Sequence, residues 1–297
     1  MNMKRSLFFH ALRYSMPLAV FIVLGCIVIL CVTLLAKGIT TINLELFFGD
    51  TPPLKAILGQ LPVWEGIWPA LLGTLYLILL TMGIALFPGI GCGIFLAEYA
   101  SPHWKRRVGT AIDLLSGTPS IVMGLFGFTL ILFLRRTLMP EANTCLLIAA
   151  GCLSLLVMPV LVVNTREALE AVPLSTKLAA RGLGFSKNQI IFHISLPMGM
   201  RGILSGVILG IGRSAEDTAV IMLTGAVANA GLPSGLFAKF EALPFTIYYT
   251  IAQYQTQEEL ALAFGTALLL LLFAGCMVLL AKYFEQRHMR RWKGGIS

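Results

Sequence analysis

Three ionisable residues lie inside an apolar stretch, Leu204 to Ala226, that is long enough to cross a bilayer as one helix. They are Arg213, Glu216 and Asp217. A charged group at the centre of a membrane helix costs roughly 2.5–3.5 kcal/mol, so such groups usually face protein or a water-filled path. Spacings of three and four residues place all three on one helical face. We therefore predict that this face contacts a transported polar solute; the alternative is an internal ion pair that only locks two helices together.

The composition is that of an integral membrane protein. Hydrophobic residues make up 57% of the 297 residues and charged residues only 12%, against roughly 25% charged residues in soluble domains. The formal net charge of +8 needs a membrane explanation before a nucleic-acid one, because basic residues collect in the loops on one side of a membrane. We expect a lipid bilayer around the chain and no nucleic-acid partner.

Residue types that bind metals or carry out catalysis form no recognisable pattern. The six cysteines lie in apolar runs without a C-x-x-C pair, and the four histidines are scattered, which is typical of structural residues. Neither a G-x-x-x-x-G-K-[ST] phosphate-binding loop nor a hydrolase motif occurs. We therefore predict a protein that is not an enzyme, has no ATPase site of its own, and binds neither a metal nor a cofactor.

Apolar segments of spanning length recur six times, which predicts an all-α membrane protein with a single transmembrane domain over residues 1–297. The expected spans are about 16–37, 68–97, 110–134, 145–163, 201–226 and 258–284. Pro88 and three nearby glycines predict a kink in the second span. The run Gly117–Ser120 in the third favours a helix break that lines a cavity or, equally, a packing kink between small residues.

Lysine and arginine are unevenly divided between the two sides of these spans. Fourteen of the 22 lie in the termini and in the segments 98–109 and 164–200, and two more, Arg201 and Lys282, lie at the adjoining ends of the fifth and sixth spans. Five lie on the other side, and the last is Arg213. The positive-inside rule therefore predicts that both termini and these two segments are cytoplasmic. The segments 38–67 and 227–257 are then external.

The longer of the two cytoplasmic segments has the pattern of two short helices. The first begins at Pro173 and ends near Gly184, since proline suits a first helical turn and glycine a helix end. Ser186 and Gln189 have the spacing of a capping box that opens the second helix, which Pro197 helps to end. Two such helices form a compact knob, which either docks into a partner or rests on lipid headgroups.

This segment contains L-A-A-R-G-L-G, then nine residues, then I-S-L-P, with leucine at position 178 as the first of these residues. The run resembles the EAA loop, E-A-A-x-x-x-G-x(9)-I-x-L-P, by which permeases of ABC importers contact their ATPase subunits, with Leu178 in the glutamate slot. The resemblance implies an ATPase-coupling site at the residues in register, which are Ala179, Ala180, Gly184, Ile194, Leu196 and Pro197. Loss of the glutamate would remove a salt bridge and leave hydrophobic docking.

Two further stretches are similar to those of phosphate-importer permeases. L-L-S-G-T-P-S-I-V-M-G-L-F-G, residues 114–127, is similar to their G-V-P-S-I-V-x-G-L-F-G signature, and I-G-R-S-A-E-D-T-A, residues 211–219, resembles their A-R-A-x-G-E-T-A. The chain thus resembles the membrane-spanning permease subunit of a phosphate ABC importer, within the binding-protein-dependent transport permeases. The candidate substrate-pathway residues are Arg213, Glu216, Asp217, Thr118 and Ser120.

The resemblance also implies a set of partners. These are a dimer of ABC ATPases that binds the ATP, a second homologous permease subunit, and a periplasmic phosphate-binding protein. It implies a multi-pass protein of the bacterial inner membrane that works by alternating access. ATP binding on the partner subunits would move the knob, and the knob would move the fifth span.

Phosphate chemistry is compatible with the ionisable residues of the fifth span. Arg213 would bind phosphate oxygens as a rigid fork, and the carboxylate of Glu216 or Asp217 would accept the P–OH hydrogen bond. The Glu216-Asp217 pair stands where the family has Gly-Glu, which makes the site less electropositive. A permease for another oxyanion, such as molybdate or sulfate, is therefore an alternative. An ion-coupled secondary transporter with proton sites at the two carboxylates is a further one.

Overall fold

The computed structural model describes the backbone of residues 3–293 and the side chains of residue 13 and residues 15–287. The basic residues of the two termini that entered the charge count lie outside the described side chains, apart from Arg13, Lys282 and Arg287, as do two of the four histidines, His10 and His288. Within this part of the chain the all-α prediction is confirmed, since every element is helical and the only β-type pairing is an isolated bridge from Ala226 to Phe240.

Thirteen α-helices follow one another along the described backbone. They are α1 (Met3–Gly38), α2 (Leu44–Phe48), α3 (Pro53–Ile57), α4 (Trp68–Ile94), α5 (Pro102–Ser116), α6 (Ser120–Thr137), α7 (Leu146–Glu170), α8 (Leu174–Gly182), α9 (Lys187–Ile190), α10 (Leu196–Glu216), α11 (Ala219–Thr224), α12 (Leu243–Gln253) and α13 (Gln257–Lys293). A 3-10 turn follows α1 at Ile39–Thr41, and π-helical turns occupy Phe95–Tyr99 after α4 and Ile191–Ser195 before α10.

Six stretches of helix are long and apolar enough to cross a membrane, as predicted. They are Ser15–Thr41, Trp68–Tyr99, Ser120–Thr137, Leu146–Glu170, Lys187–Glu216 and Gln257–Arg287. The first, second, fourth and sixth lie over the segments expected from hydropathy, although the fourth continues seven residues beyond position 163. Pro88 lies within α4, which continues past it to Ile94 and then widens into a π turn.

The third span begins about ten residues later than hydropathy predicted. Residues 110–116 belong to α5, a separate helix with no buried residue, and the chain leaves helical geometry before α6 begins at Ser120. Pro119 accounts for this break, because proline lacks an N–H and disfavours helical geometry in the residue before it. The predicted interruption within Gly117–Ser120 is therefore a true break between two helices.

The fifth span differs from its prediction at both ends. The expected helix end near Pro197 is wrong, because α9, the π turn and α10 form one continuous helical run, Lys187–Glu216. A wider π turn before α10 accommodates a proline that cannot donate to the preceding turn. The run then stops at Glu216, so 201–226 is not one helix: α11 begins only at Ala219.

Glycines bring the central helices α4, α7 and α10 into close contact. A Cβ at Gly206 of α10 would lie 2.7 Å from the Cβ of Asn164 in α7, and one at Gly93 of α4 would lie 2.5 Å from the Cβ of Thr165 in α7. Small residues at such contacts let membrane helices approach closely enough for van der Waals packing. The three helices form the frame on which the remaining elements are arranged.

The two ends of this frame differ in charge. One end, here called the basic end, holds α8, α9 and the cluster Lys105, Arg106 and Arg107. The other, here called the acidic end, holds α2, α3, α12 and a cavity lined by six carboxylates. The directions of the helices determine which elements lie at each end. Helices α4 and α7 both run from the acidic end to the basic end, and α10 runs back.

Candidate transport site and coupling loop

Arg213 and Glu216 lie on an exposed face of α10 at about half the depth of the helical frame. Their neighbour Ala215 packs in one buried cluster with Met82 of α4 and Val157 of α7, each close to the middle of its helix. Both Arg213 and Glu216 are exposed in this chain. The described residues therefore present two ionisable side chains on the outer surface of the protein at a depth where lipid would otherwise be.

Asp217 does not share this face. It follows the last residue of α10, is only 8% exposed, and accepts a hydrogen bond from the backbone N–H of Val220 at 2.9 Å. This bond ties Asp217, the residue before the N-cap Thr218, to the first turn of α11, and Asp217 itself has an extended backbone. The prediction that three ionisable side chains share one face of a continuous helix is wrong for this reason: Arg213 and Glu216 share it, and Asp217 turns inward.

The alternative of an internal ion pair finds no support among the side chains that the structure describes. Three ion pairs are formed there, Lys105–Glu170, Arg166–Glu170 and Lys177–Glu98, and none involves Arg213, Glu216 or Asp217. Arg213 also donates no hydrogen bond to any of the described residues within this chain. Its guanidinium is thus available to a ligand or to another subunit.

Thr118 and Ser120 flank the break between α5 and α6. Thr118 is half-buried and donates from its hydroxyl to the carbonyl of Leu114 at 3.0 Å, and Ser120, also half-buried, opens α6. One helical turn further on, a Cβ at Gly124 would lie 2.9 Å from the carbonyl oxygen of Ala219 in α11. One turn of helix is about 5.4 Å long, so the α5–α6 break lies close in depth to the α10–α11 break.

The knob predicted after the fourth span is present as α8 and α9. Gly184 has φ +87°, a left-handed conformation that glycine adopts without strain. The capping box is confirmed, since the Ser186 hydroxyl accepts from the Gln189 backbone at 3.4 Å and the Gln189 side chain accepts from the Ser186 backbone at 2.8 Å. Local sequence signals of this kind succeed because both partners lie within one helical turn.

The six residues matched to the coupling motif are not equally accessible. Ala179 and Gly184 are exposed, whereas Ala180 is 4% exposed and packs against the rest of the chain. Ile194, Leu196 and Pro197 are half-buried in the π turn and the first turn of α10. These last three therefore lie in the helix that joins the knob to the fifth span.

The outer surface of the knob is apolar. Leu174 is 68% exposed, Leu178 53% and Leu183 79%, and Phe185 is also exposed. We call these four residues the apolar face of the knob. Leu178, which stands in the glutamate slot of the motif, thus presents a hydrocarbon surface outward.

Side-chain contacts join the knob to the end of α4. The ammonium of Lys177 in α8 lies 2.6 Å from a carboxylate oxygen of Glu98, and the hydroxyl of Tyr99 donates to the side-chain oxygen of Asn188 in α9 at 2.7 Å. Sequence reasoning did not assign a role to Glu98, Tyr99 or Asn188. No local signal could have found them, because the partners are 79 and 89 positions apart in the chain.

The acidic end holds a cavity of about 830 Å³ between the 40–67 segment, α12 and the start of α13. Its six carboxylates are Glu45, Asp50, Glu65, Glu241, Glu258 and Glu259, and no lysine or arginine is among the residues that line it. Burial raises the pKa of Glu241, although backbone N–H groups of Gly231 and Ala230 that bond the carboxylate act in the opposite direction. Such a lining disfavours a small anion, so Arg213 is the better candidate for anion binding.

Comparisons with known proteins agree with this architecture. Residues 89–290 match the family described as "Binding-protein-dependent transport system inner membrane component". The chain is 34% identical over 246 residues to the phosphate transport system permease protein PstA of Yersinia pestis, covering 82% of this chain and 77% of that one. The corresponding protein of Haemophilus influenzae is 30% identical over 255 residues, covering 86% and 85%.

A solved structure supports the fold independently. The inward-facing MetNI methionine ABC transporter contains a chain that superposes with a TM-score of 0.54 over 76% of this chain and 96% of that one. At 16% sequence identity this match indicates a shared architecture alone. The family match over two thirds of its length identifies the chain as a member of the inner-membrane components of binding-protein-dependent transport systems.

Proposed function

We propose that the chain is a permease subunit of an ATP-driven ABC importer and moves inorganic phosphate into the cytoplasm. The observation that carries the proposal is the exposed side chain of Arg213 at about half the depth of the helical frame. An arginine there is tolerated when it lines a polar path. The choice of phosphate as the substrate rests on the relatives that are named phosphate transport system permeases.

The chemistry of the α10 face fits a protonated oxyanion. Phosphate near neutral pH keeps at least one P–OH group while carrying negative charge. Arg213 binds its oxygens through two N–H groups, and a carboxylate oxygen of Glu216 accepts the P–OH hydrogen bond. Sulfate, which has no such proton, would meet only repulsion at Glu216. Asp217 takes part indirectly, by holding the break between α10 and α11.

Two helix breaks at similar depth support a substrate path beside α10. The backbone leaves helical geometry at Thr118–Pro119 and again at Asp217. Broken helices in membranes are tolerated where protein or a water-filled cavity covers the freed backbone groups, and transporters place their binding sites at such breaks. Thr118 and Ser120 lie beside the first break, so their hydroxyls are candidates for contact with the passing solute.

A second permease subunit completes this path. The α10 face that presents Arg213 and Glu216 is uncovered in this chain, and lipid would not satisfy either group. A homologous subunit placed against this face would enclose both side chains between the two proteins. The polar path would then run along the interface between the subunits.

The apolar face of the knob is the docking surface for an ABC ATPase. Leu174, Leu178, Leu183 and Phe185 would bury hydrocarbon surface in a cleft of the ATPase, and ATP-driven movement of that cleft would displace α8 and α9. The continuous helix Lys187–Glu216 would carry the displacement to Arg213. ATP therefore acts on the partner subunits, while this chain supplies the surface on which they dock and the path of the substrate.

The charge distribution supports one orientation in the membrane. The basic end, with Lys105, Arg106, Arg107 and the knob, lies in the cytoplasm together with both termini. The acidic end then faces the periplasm, where a phosphate-binding protein delivers its ligand. The acidic cavity there contacts the delivering protein or remains filled with water, and phosphate enters beside α10.

The proposal is tested with the complex purified through a tag on this chain and reconstituted in proteoliposomes with radiolabelled phosphate. Arg213→Ala should lower ATP-dependent uptake by about 100-fold, because two charge-assisted hydrogen bonds to the substrate are lost. Arg201→Ala is the matched control, since Arg201 is exposed on the same helix about 18 Å nearer the knob. Uptake by this control should stay within about twofold of wild type.

Three results would contradict the proposal. Uptake by Arg213→Ala at the wild-type level would show that the exposed face of α10 does not bind the substrate. Competition by sulfate or molybdate as strong as that by unlabelled phosphate would point to another oxyanion. Uptake driven by a proton gradient without ATP would indicate an ion-coupled secondary transporter.

A further inference from the structure

Two adjacent residues at the end of α4 hold the two helices of the knob. Glu98 contacts α8 through Lys177, and Tyr99 contacts α9 through Asn188. Both residues belong to the π turn Phe95–Tyr99, which is closed by the bond from the Ala100 N–H to the Phe95 carbonyl at 2.8 Å. Wide turns of this kind inside helices recur at functional sites.

Lys177 joins three elements at one point. Besides Glu98, its ammonium donates to the carbonyl of Leu169 in the last turn of α7 at 3.2 Å. The side chains of the ion pair are only 19% and 12% exposed, so water screens their attraction weakly. Breaking one partner of such a pair leaves the other charge poorly solvated.

Tyr99 forms a second contact on the α9 side. The ammonium of Lys187 lies 4.7 Å from the centre of the Tyr99 ring, within the range of a cation–π interaction. The hydroxyl of the same ring bonds Asn188. Tyr99 therefore contacts two successive residues of α9, directly after the turn at Gly184 that separates the helices of the knob.

These contacts leave the apolar face of the knob free. Lys177 points toward α4 and α7, whereas the next residue, Leu178, is 53% exposed on the outer surface. The contacts to α4 and the apolar face thus lie on different sides of α8. An ATPase can dock on one side while α4 is attached at the other.

We propose that Glu98 and Tyr99 are positioning residues that attach the knob to α4, so that a displacement of the knob moves the second span together with the fifth. The fifth span needs no such attachment, because α9 continues into α10 through the π turn Ile191–Ser195. Without the pair at Glu98 and the bond at Tyr99, only the helices that adjoin the knob in the chain, α7 and α10, would follow it directly. This inference rests on the proposed function, in which an ATPase moves the knob.

The test uses the reconstituted complex with two readouts, ATP hydrolysis and phosphate uptake. Glu98→Gln and Lys177→Gln should each lower the phosphate moved per ATP hydrolysed by roughly tenfold, while the ATPase still copurifies in wild-type amount. The double variant should be no worse than either single one, because both changes remove one interaction. Lys177→Arg should restore most of the ratio, since it keeps the charge and the donors.

Glu170→Gln is the matched control. Its pair with Lys105 lies at the same end of the molecule but joins α7 to α5, is about one third exposed, and does not contact the knob. The amount of phosphate moved per ATP should change by less than about twofold, as expected for a solvent-screened pair. An effect as large as that of Glu98→Gln would show that charge loss at this end, and not attachment of the knob, causes the defect.

A measurement without substrate separates this inference from the proposed function. Hydrogen–deuterium exchange of residues 174–190 in the nucleotide-free complex should be faster in Glu98→Gln than in wild type, and equal to wild type in Glu170→Gln. If the wild-type complex moves no phosphate, the proposed function fails, and exchange together with ATP hydrolysis still reports on the attachment. Unchanged exchange in Glu98→Gln would then overturn the inference.

Tyr99→Phe keeps the inference testable if Glu98→Gln fails to assemble. This variant removes only the hydroxyl that bonds Asn188 and retains the ring beneath Lys187. We expect a severalfold lower ratio of phosphate to ATP with normal assembly. A ratio equal to wild type in both Tyr99→Phe and Lys177→Gln would show that the contacts stabilise local structure without transmitting movement.

Discussion

The hydrogen bonds that join neighbouring elements differ in kind between the two ends of the molecule. At the acidic end, backbone groups from distant segments bond each other: the N–H groups of Leu146 and Leu147 donate to the carbonyls of Ala238 and Leu236, and that of Val227 donates to Phe240. At the basic end, the contacts between elements are side-chain contacts, such as Lys177–Glu98 and Tyr99–Asn188. In the proposed mechanism the acidic end is the fixed frame, and the basic end is the attachment for the moving knob.

The two kinds of hydrogen bond differ in how easily they can be broken and remade. Backbone bonds between buried segments cannot be broken without leaving N–H and C=O groups unpaired, so they resist displacement. Side-chain bridges can be remade by rotation about several bonds as two elements shift. A subunit that receives movement at one end and keeps its shape at the other needs both kinds. Variants at the acidic end should therefore mainly change stability, and those at the basic end mainly change coupling.

The largest expected effect on stability lies at the acidic end. Gly73 of α4 faces the carbonyl of Glu241, which a Cβ at this position would overlap. Gly73→Val should lower the free energy of unfolding by about 3 kcal/mol or prevent assembly, because overpacking forces the backbone to shift. Gly83→Val in the same helix has open space around it and is the control. Equal melting temperatures for the two variants would contradict the view that the acidic end is a closely packed, rigid frame.

A smaller effect is expected at Thr74, which connects α4 to the start of α12. Its hydroxyl accepts from the backbone N–H of Leu243 at 2.9 Å and donates to the carbonyl of Ala70. Thr74→Val should destabilise the protein by about 1–3 kcal/mol, because a buried N–H loses its partner. In the same helix, the buried hydroxyl of Thr81 has no partner among the described residues, so Thr81→Val should leave the melting temperature unchanged or raise it.

Glu241 should make the acidic end sensitive to pH. Because burial raises its pKa in the folded protein, the protonated form contributes stability that is present below the ordinary pKa of glutamate and is lost as the pH rises through the folded value. Glu241→Gln cannot ionise and still offers an oxygen to the Gly231 N–H. The melting temperature of wild type should therefore fall relative to that of the variant as the pH rises above the ordinary pKa of glutamate. A constant difference would contradict this assignment.

The smallest effect is expected at the exposed pairs of the basic end. Glu170→Gln removes the pairs with Lys105 and Arg166, whose side chains are all more than one third exposed. Exposed pairs contribute about 0.2–1 kcal/mol and are screened by salt. The change in melting temperature should be small and should vanish at high ionic strength. A loss as large as that of Thr74→Val would show that the basic end, too, is part of the rigid frame.

Several features of the fold were predictable because their signals are local. Six apolar segments indicated six spans, and the capping box at Ser186 and Gln189 indicated the start of a helix. Pro119 correctly marked an interruption of the third span, since proline acts on its own turn and on the residue before it. The EAA-like pattern located the knob for the same reason: its residues form one short stretch.

Other features were mispredicted because hydropathy does not record where a side chain points. The stretch Leu204–Ala226 is apolar enough on average to predict one continuous span, yet Asp217 bonds the Val220 N–H where the stretch divides into two helices. Pro197 suggested a helix end, but the π turn before it lets the helix continue. In both cases a local hydrogen bond determined the backbone conformation. Hydropathy averaged over twenty residues does not record such a bond.

The sequence by itself determined the class of the protein, the number of its spans and the place of the knob, because each of these depends on residues that are neighbours in the chain. Only the tertiary structure decided that Arg213 and Glu216 face outward while Asp217 faces inward, and that Glu98 and Tyr99 hold the knob. Contacts across 79 and 89 positions form when folded helices meet. Which residues meet depends on the close packing of α4, α7 and α10 as a whole.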